Sequence, residues 1–91
     1  SVITRSPNNA DALFNLGMVT FGRGDFVRAE EAFRRALTIR GADAEAWNNR
    51  GVCLHRLGRT SEAIECFRRA LQVNPNDEDA TINLQSLGGS K

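Results

Sequence analysis

The sequence predicts an all-α protein made of repeated helical hairpins. Three observations lead to this prediction: an internal duplication with a period of 34 residues, apolar residues at helical spacing within each copy, and helix-breaking residues between the apolar runs. With 91 residues, the chain has the length of one small domain or of part of a larger one.

The duplication needs no gaps. Placing residues 10–43 over residues 44–77 gives 13 identical positions out of 34, including the run Phe-Arg-Arg-Ala-Leu at residues 33–37 and 67–71. Identity at this level over one fixed period indicates a repeat protein, in which each unit packs against its neighbours.

The same register continues on both sides of the two complete repeats. Residues 1–9 align with the end of a repeat, and residues 78–88 align with the first half of one. The predicted organisation is the tail of a truncated preceding repeat at 1–9, complete repeats at 10–43 and 44–77, a half-repeat that forms a capping helix at 78–88, and a disordered tail at 89–91.

Each complete repeat is predicted to contain two helices. In the first repeat, Gly22 and Gly24 interrupt the helical pattern, and Asp25 can cap the helix that follows. The second repeat breaks at Gly58 in the same way. Pro75 separates this repeat from the last helix, because proline cannot continue a helix.

Small residues are predicted to set the distance between the helices. Leu16 and Gly17 are expected on the buried stripe of the first helix. Where the two helices of a repeat approach, Gly17 is expected to face Ala29, since a larger side chain would push the helices apart. The second repeat places Gly51 and Ala63 at the same positions.

The pattern resembles the tetratricopeptide repeat, a family with a 34-residue helix–turn–helix unit. The second repeat carries the residues of the family pattern at Trp47, Gly51, Leu54, Ala63, Phe67, Ala70 and Pro75. The resemblance extends over residues 7–87. It implies a right-handed solenoid of two full repeats plus a terminal helix, in which the first helices line a concave groove that binds a peptide segment. It therefore implies a non-catalytic protein-interaction module.

Eleven residues of the predicted first helices are candidates for contact with a peptide in that groove. They are Phe14, Asn15, Met18, Phe21, Asn48, Asn49, Val52, His55, Arg56, Ile82 and Asn83. Among them Asn15, Asn49 and Asn83 lie one period apart, and a carboxamide can grip a peptide backbone without reading its side chains. The family uses asparagines in this way. The alternative is that these asparagines bond across neighbouring helices of the protein itself.

Phe14, Met18 and Phe21 are apolar residues at helical spacing outside the expected packing stripe. As an exposed patch they would mark a site for an apolar side chain of the partner. The alternative is that an upstream repeat or another molecule covers them.

Arg50, His55 and Arg56 are expected to add positive charge near the groove of the second repeat. Such charge would suit an acidic peptide or a C-terminal carboxylate.

Many members of the family hold a terminal carboxylate with a clamp of two lysines, one arginine and two asparagines. In this chain four of the clamp positions carry Phe14, Met18, Asp79 and Asn83 instead. Asn49 alone matches. A clamp for a chaperone tail is therefore not expected.

Composition excludes several other functions. The 12 basic and 11 acidic residues nearly cancel, which argues against a nucleic-acid partner and favours a partner selected by shape and backbone contacts more than by charge. No apolar run is long enough for membrane insertion. Two cysteines and one histidine are too few for a zinc site, so no metal or cofactor is expected, and Cys53 is interpreted as a core residue.

Other functions stay open from the sequence alone. The chain could be a structural spacer, a module that self-associates through an exposed face of its N-terminal repeat, or a regulatory domain of a larger multidomain protein. The sequence does not determine the compartment, although two cysteines without a disulfide framework favour a reducing one such as the cytoplasm.

Overall fold

The computed structural model describes residues 9–88 and contains five α-helices in that range. They are α1 (Ala10–Gly22), α2 (Phe26–Ile39), α3 (Ala44–Arg56), α4 (Thr60–Val73) and α5 (Glu78–Ser86). Helices α1 and α2 pack together as one hairpin, and α3 and α4 pack together as the next. The hairpins stack through α2 and α3, and α5 covers α4 while touching α3. This is the predicted all-α repeat architecture.

The predicted tail of a preceding repeat lies almost wholly outside the described residues, and the predicted disordered tail at 89–91 lies entirely outside them. Within the described range, every helix is too short or too polar to cross a membrane.

Glycines close the turn inside each hairpin. Gly24 has a φ of +79°, which glycine adopts without a steric penalty. The N–H of Asp25 donates to the Thr20 carbonyl at 2.9 Å, and the N–H of Gly24 donates to the Phe21 carbonyl at 3.0 Å. This pair of bonds is a Schellman motif, and Gly58 with a φ of +82° ends α3 in the same manner.

Aspartate side chains cap three of the helices. Asp25, Asp43 and Asp77 each accept a hydrogen bond from the backbone N–H three residues later. Helix α4 differs, since Arg59 occupies its capping position and makes no side-chain cap bond. The Arg59 guanidinium instead pairs with Glu62 at 2.6 Å. The start of α4 therefore depends on packing and not on a cap.

Each hairpin is closed by a phenylalanine ring that lies on a glycine. A Cβ atom added at Gly17 would lie 2.6 Å from Cε1 of Phe33, and one added at Gly51 would lie 2.6 Å from Cε1 of Phe67. The nearest atoms to a Cβ at either glycine belong to the phenylalanine ring, and Ala29 and Ala63, the alanines expected to face the glycines, are fully buried. The glycines make room for a ring, and the two rings are the largest fully buried side chains among the described residues.

The same rings reach the next unit of the stack. Phe33 clusters with Cys53 of α3, and Phe67 clusters with Leu54 of α3 and Leu84 of α5. One core cluster therefore joins the two hairpins and another joins the second hairpin to α5.

Helix α1 buries only part of the stripe expected. Leu16 is 50% exposed and Ala12 is exposed, whereas Leu13 and Gly17 are buried. The open stripe is the one that α3 uses to pack on the hairpin before it. No hairpin precedes α1 within residues 9–88, so Leu16 has nothing to pack against there.

Candidate functional site

Two clefts open along α3 and α5. The larger, of about 440 Å³, is lined by Glu45, Asn48, Asn49, Asn74, Asn76, Asp77, Glu78 and Asp79, and we call it the acidic cleft. The smaller, of about 170 Å³, is lined by Val52, His55, Arg56, Phe67, Asn83, Ser86 and Leu87, and we call it the basic cleft. The acidic cleft holds the first turns of α3 and α5, and the basic cleft holds their last turns.

A hydrogen bond between two asparagines connects the clefts. The Nδ2 group of Asn83 donates to Oδ1 of Asn48 at 2.9 Å. Asn48 is only 9% exposed and lines the acidic cleft, whereas Asn83 is half-buried and lines the basic cleft. The bond therefore links a residue of one cleft to a residue of the other, and we call the two clefts together the groove.

A second asparagine bridges α3 to α1. The Nδ2 group of Asn49 donates to the sulfur of Met18 at 3.3 Å. Of the three asparagines that lie one period apart, Asn49 and Asn83 thus bond across neighbouring helices of the protein itself, which is the alternative to peptide contact. Asn15, the third, is exposed on α1.

The two phenylalanines of the expected apolar patch are largely covered. The Phe14 ring meets Phe33 edge-on with centroids 5.6 Å apart, and the Phe21 ring meets Phe26 in the same way at 5.6 Å. Both rings are half-buried against the core. The prediction of an exposed patch of three residues is wrong for these two, because α2 of the same hairpin covers them. Met18 is the member that stays exposed, at 39%.

Arg50 does not lie in the groove. Its Nε donates to Oε2 of Glu30 at 3.0 Å, inside the interface between the two hairpins. The prediction that Arg50 adds positive charge to the groove is therefore wrong. His55 and Arg56 remain exposed beside the basic cleft, where the Arg56 guanidinium lies 5.5 Å from the centroid of the Phe26 ring.

Of the last two candidates for peptide contact, one lies in the groove and the other lies outside it. Val52 is half-buried, packs on the core and lines the basic cleft. Ile82 is 61% exposed on α5 and lines neither cleft.

The acidic cleft contains residues that the sequence-based candidates missed. Asn74 and Asn76 come from the connection before α5, and Asp77 and Glu78 come from its start. No lysine, arginine or histidine lines this cleft. The run Asn-Pro-Asn-Asp-Glu-Asp at residues 74–79 was the available signal, since it gathers three carboxylates and two amides.

Although the total charge of the chain is near neutral, charges of opposite sign are therefore separated along the groove. One end of the groove carries four carboxylates and the other carries His55 and Arg56. Within residues 9–88, no group of three or more His, Cys, Asp or Glu side chains is placed to hold a metal ion.

The two cysteines are buried and unoxidised, with Cys53 on α3 and Cys66 on α4. Burial raises the pKa of the Cys53 thiol to about 12, and the nearby Glu30 carboxylate adds to this effect. Burial also raises the pKa of the Cys66 thiol to about 11. Both side chains are therefore neutral parts of the core at physiological pH.

We expect the native protein to resist alkylation by iodoacetamide at about pH 8, because the thiolate is the reactive form and both thiols are shielded. Mass spectrometry should detect two added groups only after unfolding in guanidinium chloride. Rapid modification of the native chain would show that one of the cysteines is accessible.

The two thiols also make stability depend on pH. Their folded-state pKa values exceed the ordinary value of 9.0, so the thiols contribute stability that is complete below pH 9.0 and is lost as the pH rises toward 11 and 12.

Stacked helical hairpins with a continuous concave surface define the class of helical-repeat scaffolds, which use such surfaces to bind other proteins. Two family profiles, both described as "Tetratricopeptide repeat", match this chain, one over residues 1–44 and the other over residues 44–77. The chain belongs to the tetratricopeptide-repeat family.

Solved structures of the same kind resemble it closely in fold. The first TPR of Spaghetti (RPAP3), bound to the HSP90 peptide SRMEEVD, is 25% identical with a TM-score of 0.87, and the match covers 91% of this chain and 66% of that one. The TPR2B domain of yeast Sti1, in its complex with pHsp70, is 26% identical with a TM-score of 0.83, over 86% of this chain and 62% of that one.

Among curated proteins, Protein POLLENLESS 3-LIKE 2 of Arabidopsis thaliana is 47% identical over 47 residues. That match covers 52% of this chain and only 11% of the relative. The chain therefore spans a small part of that protein and less than two thirds of each of the two solved structures.

Proposed function

We propose that this chain is a non-catalytic protein-interaction module that binds an extended peptide segment in the groove between α3 and α5. The Asn48–Asn83 hydrogen bond is the observation that carries the proposal, because it sets two carboxamides side by side, each lining one of the two neighbouring clefts. Its relative Spaghetti holds a peptide on the same fold, which supports a peptide as the ligand class.

The carboxamides suit a peptide backbone. Asn83 uses an N–H group toward Asn48, and none of the hydrogen bonds among residues 9–88 uses its Oδ1 atom. That oxygen can accept from a peptide N–H, and the N–H groups of Asn48 can donate to a peptide carbonyl. Asn49 lines the same cleft, and the Nδ2 hydrogen that it does not use toward the Met18 sulfur adds a further donor there.

The separation of charge along the groove determines which charged side chains a bound peptide should carry. Four carboxylates without a cation favour a lysine or arginine side chain in the acidic cleft, whereas Arg56 and His55 favour a carboxylate at the other end. A nucleic acid is disfavoured because the carboxylates repel phosphates. The ligand thus differs from SRMEEVD, whose acidic residues would face like charges in this cleft.

We expect a selection from a random heptapeptide library on the immobilised chain to enrich peptides with a basic residue near one end. The variant Glu45→Lys/Asp79→Lys should lose this preference, because it replaces two exposed carboxylates of the acidic cleft without removing a helix cap. For a selected basic peptide, calorimetry should show that each substitution weakens binding by roughly 3- to 10-fold at low salt and less at high salt.

Glu65→Lys is the matched control, because Glu65 is exposed on α4 outside both clefts. It should leave affinity and enrichment unchanged. The groove assignment fails if the two acidic-cleft substitutions behave like this control, or if SRMEEVD binds as tightly as the selected basic peptides.

A further inference from the structure

The two charged ends of the groove lie at opposite ends of the same pair of helices. The acidic cleft holds the first turns of α3 and α5 and the basic cleft holds their last turns, so the groove follows the helix axes. A peptide that runs along it meets carboxylates at one end and His55 and Arg56 at the other. The distance between the two ends then determines which pairs of peptide side chains can reach both of them.

That distance follows from the geometry of α3. Glu45 lines the acidic cleft and Arg56 lines the basic cleft, eleven residues later on the same helix. Eleven residues make about three helical turns, so the two exposed side chains project from one face of α3, with a rise of about 16 Å between them. Asn49 and Val52 lie on the same face between them, and both line the groove.

At one end, Arg56 is available to a ligand. Its guanidinium lies 5.5 Å from the centroid of the Phe26 ring, and this contact holds the side chain without neutralising its charge. Arg56 takes part in none of the ion pairs that residues 9–88 form with one another, whereas Arg59 and Arg69 each pair with a carboxylate. A guanidinium held in this way can donate two parallel hydrogen bonds to a carboxylate of a peptide.

At the other end, three exposed carboxylates are available. Glu45, Glu78 and Asp79 take part in no ion pair within the described part of the chain, whereas Asp77 caps α5. Each helix start adds about half a positive charge here, and each helix end adds about half a negative charge beside Arg56. Two helix starts act against four carboxylates, but two helix ends act against a single arginine. The acidic cleft is therefore the stronger of the two charged sites.

Resting on the peptide-binding function proposed above, we infer that the groove selects a segment with a basic and an acidic side chain four residues apart. An extended peptide advances about 3.3 Å per residue and points alternate side chains to opposite sides, so only even spacings turn both toward the groove. A spacing of four spans about 13 Å, and the outward splay of two long side chains covers the remaining distance. A spacing of two is too short, and a spacing of six already exceeds the distance at about 20 Å.

Calorimetry with a series of synthetic peptides tests this spacing. Each peptide carries one arginine and one glutamate in a background of serine and glycine, which disfavours a helix, and both termini are blocked. The two charged residues are placed two, four, six or eight residues apart, in both orders, because a carboxamide can bond a backbone that runs in either direction. At low salt, we expect a spacing of four to bind about 3- to 10-fold more tightly than the others and than a peptide with glutamine in place of glutamate.

Two variants of the protein show whether Arg56 causes this preference. Arg56→Gln should lower the affinity for the peptide with a spacing of four to that for the glutamine peptide. Arg68→Gln is the matched control, because Arg68 is exposed on α4 outside both clefts, and it should keep the maximum at four.

The possible failures are distinguishable. Peptides that bind equally at every spacing, or a maximum at four that persists in Arg56→Gln, would overturn this inference and leave the peptide-binding function in place. A series in which no peptide binds would overturn both.

Discussion

Replacing Arg50 with leucine is expected to lower the free energy of unfolding by about 2–3 kcal/mol, because the Glu30 carboxylate then stays buried without its main partner. Glu30 is only 7% exposed, and its 3.0 Å contact with Arg50 lies inside the interface between hairpins. The remaining cation, Arg34, is 4.0 Å away and half-exposed, so it compensates only in part. Denaturation followed by circular dichroism measures the change.

The double variant Glu30→Ile/Arg50→Leu should recover the stability of the original chain. The next interface carries Ile64 and Leu84 at the equivalent positions, and both pack in the same apolar cluster. Replacing a buried ion pair with apolar residues is often neutral or stabilising, whereas breaking it is costly. The two single variants should therefore be strongly non-additive.

Arg40→Leu is the matched control for this experiment. Arg40 pairs with Asp11 at 2.8 Å, but both side chains are more than half exposed. Its loss should cost less than about 1 kcal/mol, as for other surface pairs. An equal cost for Arg40→Leu and Arg50→Leu would show that the Glu30–Arg50 pair is not effectively buried.

Gly51→Ala is expected to lower the free energy of unfolding by about 1–3 kcal/mol, although alanine is the better helix former. Its Cβ would lie 2.6 Å from the Phe67 ring, which has almost no exposed surface and is held by Leu54 and Leu84. The ring cannot move without displacing that cluster. A loss of this size corresponds to a fall in Tm of about 4–8 °C per kcal/mol for a domain of this length.

Gly22→Ala provides the matched control. Gly22 is the last residue of α1, and a Cβ there meets no atom within 4 Å. The same substitution should therefore be neutral or stabilise the chain by up to about 1 kcal/mol. If Gly51→Ala proved as harmless as Gly22→Ala, the phenylalanine ring would have room to shift and the glycine would not be required by packing.

Local features of the chain were predictable because their causes are local. The turns at Gly24 and Gly58 and the caps at Asp25, Asp43 and Asp77 depend on residues within one helical turn. The period of 34 residues then extends this local pattern to a stack of hairpins. For these reasons the architecture and the helices that line the groove were predictable without tertiary contacts.

The environment of individual side chains was less predictable. Periodicity placed Leu16 on a buried stripe and Arg50 near the groove, but a helix in a stack has two packing faces. Which of them is covered depends on the neighbours, so Leu16 is exposed and Arg50 is paired with Glu30. Phe14 and Phe21 were misplaced for the same reason, since α2 turns out to cover them.

The near balance of 12 basic and 11 acidic residues was a property of the composition, and from it the partner was expected to be selected by shape. Only the tertiary structure decided where those charges lie, because the turn before α5 folds beside the start of α3 and gathers four carboxylates at one end of the groove. The sequence by itself determined the family, the hairpins and their order, since these follow from short-range pattern and repetition. The tertiary structure decided the electrostatics of the groove and the burial of the Glu30–Arg50 ion pair, because both depend on residues brought together from different helices.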